Sequence, residues 1–139
     1  MLREIYQEPN VVDATLNESS KTLRAIADEI ESEGYDLMYI TGSGTSYHAG
    51  LACQYAFFNL GMPVTSLIPA SEFPSWIPLL VDRKALLIAV SQSGESSDIL
   101  TAANTALRRG IDILALTNME DSALVKMAHY TLLTRAGQE

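Results

Sequence analysis

The sequence predicts a three-layer α-β-α domain, built on a doubly wound five-stranded parallel sheet of flavodoxin-like order 2-1-3-4-5. Three observations point to it. From Asp36 onward, strand-length apolar runs alternate with helix-length segments. The runs, of which "ALLIAV" (Ala85–Val90) is the most apolar, are continuous rather than alternating, as strands covered on both faces require. Glycine or proline stands at many of the junctions, as at Gly34, Gly61, Pro63 and Gly110.

The elements follow in order. A first helix spans about 10–33, with Leu16, Leu23, Ile26, Ala27 and Ile30 on one face. Pro9 is expected just ahead of it or in its first turn, and Gly34 ends it. "DLMYITG" (Asp36–Gly42) is strand one. Thr45–Leu60 is a helix closed by Gly61 and Pro63, with Cys53 expected on a buried apolar face beside Ala49, Ala52 and Ala56. "VTSLIP" (Val64–Pro69) is strand two. "SEFPSWIPLL" holds two prolines and should be irregular with a short helical turn, with Trp76 either in the core, the favoured reading, or covering a hydrophobic patch or an interface. Ala85–Val90 is strand three. Ser97–Arg109 is a helix with Ile99, Leu100, Ala103 and Leu107 inward. Ile111–Thr117 is strand four, Ser122–Ala128 a short helix, and Tyr130–Thr134 strand five. The whole is one domain, residues 1–139, with the sheet portion at about 35–135.

A chain of 139 residues can bury a sizeable core without staples. Apolar residues make up 47% and charged ones 19%, which favours a globular fold over disorder. Cys53 is the single cysteine, so no intrachain disulfide can form, and a reducing cytoplasm is expected. "MLREIYQEPN" has no apolar signal core, and no run approaches the ~18 apolar residues of a membrane helix, so no membrane partner is expected. A net charge of −8 argues against nucleic acid as a partner. It leaves room for a small phosphate ligand held by local dipoles.

In the order 2-1-3-4-5, a crevice opens beyond the carboxyl ends of strands one and three. The loops there are "TGSGTSYHAG" and "SQSGESSD", both rich in glycine and hydroxyls and free of Lys and Arg. Each enters a helix, whose first turn offers unpaired N–H groups and a partial positive charge. Thr45, Ser46, Ser91, Ser93 and Ser96 add short hydroxyl donors. The competing explanation is helix capping and turn formation, the commonest work of such residues. Convergence of both loops at the crevice favours the phosphate cradle. Glu95 and Asp98 are assigned as first-turn helix acids, not ligand contacts.

Other chemistries fit less well. A serine hydrolase elbow needs G-x-S-x-G, whereas Ser93 sits in "SQSGE". His129 precedes strand five and should lie at the opposite edge of the sheet, and His48 should be a partly exposed helical residue near the crevice rim. A phosphoacceptor domain needs acids where Thr41 and Ser91 stand. A dinucleotide fingerprint is incomplete, since Tyr47 replaces the last glycine of G-x-G-x-x-G. One Cys and two distant His make no metal-ligand cluster.

"GSGTSYHAG" (Gly42–Gly50) and "SQSGESSDIL" (Ser91–Leu100) resemble the sugar isomerase (SIS) domain family, in particular the first SIS domain of the isomerase half of glucosamine-6-phosphate synthases. "REIYQEP" (Arg3–Pro9), "ASEF" (Ala70–Phe73), "LTN" (Leu116–Asn118) and "AGQE" (Ala136–Glu139) match further landmarks, so the resemblance covers the whole chain. It implies that Thr45 and Ser46 line a sugar-phosphate site, with Gly44 and Ser43 at its edge. It implies that Ser91, Gln92, Ser93 and Ser96 hold the phosphate of a hexose phosphate such as fructose 6-phosphate or glucosamine 6-phosphate. The family carries Cys at position 43, Thr at 96 and Pro at 138, where this chain has Ser43, Ser96 and Gln138; serine at 96 keeps the hydroxyl.

In the family, the catalytic base, the ring-opening histidine and the reactive lysine come from a second SIS domain and the tail. No residue here matches them, so no catalytic residue and no cofactor or metal is assigned. The resemblance implies a half-site that works with a second SIS domain or subunit, a noncatalytic sugar-phosphate-binding regulatory module, or half of a glucosamine-6-phosphate deaminase-type enzyme. It also implies a homodimer.

Overall fold

The computed structural model describes residues 2–77 and 83–137. Ten elements follow one another: α1 (Leu2–Glu33), β1 (Leu37–Gly42), α2 (Thr45–Asn59), β2 (Val64–Pro69), α3 (Phe73–Trp76), β3 (Ala85–Val90), α4 (Ser97–Arg108), β4 (Asp112–Thr117), α5 (Ala123–Met127) and β5 (Tyr130–Leu133). The strands form one sheet of order β2-β1-β3-β4-β5, and every neighbouring pair is parallel. The predicted fold class is the observed one. Residues 78–80 of the "SEFPSWIPLL" stretch, and Gln138 and Glu139, lie outside the described residues.

The two faces of the sheet differ. On one, Tyr39, Leu87, Ala89, Ile113 and Ala115 are buried against Phe73, Ile77, Ile99, Ala103, Ala106 and Leu124 from α3, α4, α5 and their flanks. Tyr39 meets the Phe73 ring edge-on, 6.1 Å between centroids. On the other, Tyr35, Met38 and Leu86 form a smaller buried cluster, with Ile30, Ile88, Leu114 and Tyr130 half-buried around it, and Ile40 is buried beneath Gly50 of α2. This face meets α1 and α2, which leave a cavity of ≈ 490 Å³ lined by Leu23, Ile26, Met38, Phe57, Leu86 and Leu114 among others.

Several placements differ from expectation. α1 starts at Leu2 and carries Pro9 inside it. Leu2–Glu8 is rich in good helix formers, which carry the helix across a proline that costs one hydrogen bond. Leu16 and Leu23 are exposed, so only Ile26 and Ile30 of the predicted face turn partly inward. In α2 the sheet-facing position is Gly50, and Cys53 is exposed together with Ala49, Ala52 and Ala56. α2 has no Asp, Glu, Lys or Arg, so apolarity alone cannot identify its inner face. Trp76 is 70% exposed and does not belong to the core. Leu107 is also exposed, while Ala102, Thr105 and Ala106 take the inner face of α4. Among the described residues, no helix is long and apolar enough to cross a membrane.

Candidate functional site

β1 and β3 lie side by side in the middle of the sheet, with Gly42 paired to Val90 at their carboxyl ends. The chain leaves β1 toward β2 on one side and β3 toward β4 on the other, so the two loops diverge from a common edge. Both loops open helices there, α2 after Gly44 and α4 after Ser96.

In the first loop, Gly42 is required by close approach: a Cβ there would stand 3.0 Å from the backbone of Ser46 and Tyr47. Gly44 takes φ +54° and is the N-cap of α2. Ser43, Gly44 and Thr45 are exposed and Ser46 is half-buried. The loop is closed by the Ser46 N–H donating to the Ser43 carbonyl at 3.1 Å. Behind it, Thr41 is fully buried and donates its hydroxyl to the Ile68 carbonyl at 2.8 Å.

In the second loop, Ser91 is buried, and its Oγ accepts the Gly94 N–H at 3.1 Å. Ser93 Oγ accepts the Glu95 N–H at 3.3 Å. A serine hydroxyl that accepts in this way still has its own hydrogen to donate. Gln92 is exposed, and its carbonyl accepts both the Asn118 N–H at 3.0 Å and the Thr117 hydroxyl at 3.1 Å. Ser96 caps α4 in extended conformation, without a side-chain capping bond.

Four helices start around this edge, and they are not alike. In α5, the Ser122 Oγ accepts the Val125 N–H, so the first turn is closed by a side chain. In α2, α4 and the single-turn α3, no side chain makes that bond. α2 has no acid in its first turn; α4 has Asp98. Unsatisfied first-turn N–H groups are the donors an anion uses.

Two cavities flank the loops. One, of ≈ 230 Å³, is lined by Gly42, Ser43, Gly44, Tyr47, His48, Pro69, Ala70, Ser71 and Asp98. It joins the first loop, the end of β2 and the first turn of α4. The other, of ≈ 240 Å³, is lined by Ser93, Glu95 and residues 118–122. His48 thus stands at the crevice, exposed, its ring 5.7 Å from that of Tyr47. The much larger apolar cavity under α1 lies at the amino ends of the strands, beside Gly34, Tyr35 and Pro63, and its lining offers no hydroxyl but that of Tyr35.

His129 sits at that opposite edge, as expected. Its Nδ1 accepts the Ile113 N–H at 3.0 Å, and Nε2 lies 3.2 Å from Asp112 Oδ1. Tyr35 donates to Asp112 Oδ2 at 2.7 Å and lies 3.3 Å from the Tyr130 hydroxyl. Burial first, and then these bonds, push the Tyr35 phenol far above its usual range.

Two features escape sequence inspection. Glu95 precedes α4 instead of lying in its first turn, and its Oε1 accepts the Ala123 N–H of α5 at 2.7 Å. Asn118 ties the second loop to the end of the described chain: its Oδ1 accepts from the Thr134 hydroxyl at 3.2 Å and the Ala136 N–H at 2.9 Å. Both partners are distant in sequence, and the sole hint was the polar "TN" following an apolar strand.

Residues 36–139 match the family described as SIS domain. The chain is 37% identical over 139 residues to a glutamine–fructose-6-phosphate aminotransferase [isomerizing] of Thermococcus kodakarensis, covering 100% of this chain and 23% of that protein. The chain therefore spans about a quarter of the length of the curated relatives it matches. Among solved structures, the C-terminal domain of glucosamine-fructose-6-phosphate aminotransferase from Francisella tularensis superposes with a TM-score of 0.86 at 28% identity, over 100% of this chain and 40% of that one. Tagatose-6-phosphate ketose/aldose isomerase from Escherichia coli shares the fold, with a TM-score of 0.83 at 21% identity over 96% of this chain and 40% of that one.

Proposed function

The chain belongs to the SIS domain family, and we propose that it binds the phosphate of a hexose phosphate at the β1/β3 edge, as the first half of an aldose–ketose isomerase or aminotransferase site of the glucosamine-6-phosphate synthase type. One observation carries the reading. Of the four helices that start at this edge, the two of eight residues or more, α2 and α4, are both entered by glycine- and hydroxyl-rich loops and lack a side-chain cap. Ser91, Gln92, Ser93 and Ser96 hold the phosphate in this reading, with help from the first turn of α4. Thr45 and Ser46 line the sugar-phosphate site from α2, with Ser43 and Gly44 at the rim. Backbone N–H groups and neutral hydroxyls can hold a dianion without a formal cation.

Anchoring the phosphate would fix the far end of the sugar, so that its reacting carbons are presented along the crevice toward the first loop. Binding energy from the non-reacting phosphate can then be used at the reacting end. The groups that move the proton between C1 and C2 are expected from a second SIS domain or subunit. The relatives named for fructose 6-phosphate support the ligand class. A homodimer is part of the same reading: α2 carries no Asp, Glu, Lys or Arg, and its Tyr55 and Phe58, with Leu60 just beyond it, are more than two-thirds exposed.

The test is a titration of the ¹⁵N-labelled chain with fructose 6-phosphate. Amide shifts should concentrate at Thr45–Tyr47 and Ser91–Ile99. Shifts confined to residues around the apolar cavity under α1, or none at saturation, would reject the site.

A further inference from the structure

We propose that Glu95 is a positioning residue for the phosphate cradle, shaping the Ser91–Ser96 loop from outside by binding the first turn of α5. The proposal rests on the reading of that loop as the cradle. A carboxylate inside an anion-binding loop opposes its ligand unless it is turned away and its charge is met elsewhere. Glu95 satisfies both conditions: its Oε1 accepts the N–H of Ala123, the first residue of α5, at 2.7 Å. Charge-assisted bonds of this kind at a helix start are favourable.

The bond does not act alone. The neighbouring Gly94 carbonyl accepts the Leu124 N–H at 3.1 Å, so two successive loop residues are fastened to two successive residues of α5. Inside the loop, Ser91 Oγ accepts the Gly94 N–H and Ser93 Oγ the Glu95 N–H. Two of the three serines assigned to phosphate, Ser91 and Ser93, are thus oriented by the backbone of the two residues that α5 holds. Release of Glu95 frees the backbone that aims Ser93. The carboxylate therefore favours an anion site by geometry while its own charge is met by α5.

The experiment is calorimetric titration of fructose 6-phosphate into the unaltered chain, Glu95→Ala and Glu95→Gln, with amide hydrogen exchange at Ala123 reporting the bond. The alanine variant should exchange faster at Ala123 and bind on the order of tenfold more weakly, the share of one charge-assisted hydrogen bond. The glutamine variant keeps an acceptor oxygen and loses the charge, so it should bind as tightly as the unaltered chain or tighter. A purely structural role would lower the unfolding temperature of Glu95→Ala with affinity unchanged well below it. That result, or glutamine as weak as alanine, overturns the proposal and leaves the cradle standing. If Glu95→Ala does not fold, Glu95→Asp decides, since the shorter side chain keeps the charge but not the reach: unchanged affinity with faster Ala123 exchange is the overturning result, weaker binding the supporting one. No binding by the unaltered chain removes both the proposal and the reading beneath it.

Discussion

Gly94 and Ser122 are pressed together: a Cβ on Gly94 would stand 2.3 Å from Ser122 Oγ, and Gly94 itself takes φ +64°. The contact seats the second loop on the start of α5. Gly34 has the same φ but open space around its Cβ position. Gly34→Ala should therefore cost only left-handed backbone strain, about 1–2 kcal/mol, whereas Gly94→Ala should add overlap of about 1–3 kcal/mol more. Urea unfolding of both variants measures the difference. Equal losses would mean that the loop does not need the close contact.

Removal of single hydroxyls should separate loop building from ligand binding. Ser96 makes no capping bond, so Ser96→Ala should leave stability unchanged and weaken hexose-phosphate binding by about 1.5–3 kcal/mol, the range for a bond to a charged partner. Ser93→Ala should show a similar binding loss with a small stability cost, since its Oγ also accepts the Glu95 N–H. Titration calorimetry paired with thermal unfolding would check both; unchanged affinity in both variants contradicts the assignment.

These effects could be anticipated only in part before folding. The strand order followed from continuous apolar runs and from loops that alternate with them, and the two glycine- and serine-rich loops do meet at the carboxyl edge of β1 and β3. Cys53 was assigned inward and Leu16 and Leu23 to a covered face, but periodicity identifies a buried face only where polar residues mark the other one. α2 has no such marking, whereas α1 carries charged residues and still leaves Leu16 and Leu23 exposed. The partner of Glu95 lies 28 residues away, beyond what local pattern can express. Residue type favours the core for Trp76, which is 70% exposed, whereas Phe73, three residues before it, is fully buried.

The Tyr35 phenol should make the fold sensitive to alkali. Its pKa is raised in the folded chain by burial and by its bonds to Tyr130 and Asp112. An unfolded tyrosine ionises near pH 10. Below that pH both states keep the proton and the stabilisation is complete. Above it the unfolded chain releases a proton that the folded one retains, so stability falls as pH rises toward the folded pKa. Unfolding temperatures measured from pH 8 to 11 should decline above about pH 10, and Tyr35→Phe should flatten part of the decline. An identical slope in the variant would place the alkaline sensitivity elsewhere.

The exposed side of α2 should be an interface. Phe58 is 79% exposed and Leu60 74%. Phe58→Glu should convert a dimer to a monomer in sedimentation equilibrium and leave the circular dichroism unchanged. A monomeric unaltered chain at tens of micromolar would reject a self-association role for this face.

The central claim is that this SIS domain holds a sugar by its phosphate. Calorimetric titration with fructose 6-phosphate and glucosamine 6-phosphate, against unphosphorylated fructose and glucosamine, tests it most directly. The account predicts saturable binding of the phosphorylated sugars and none of the others. Equal binding with and without phosphate, or no binding of any of the four, would contradict it.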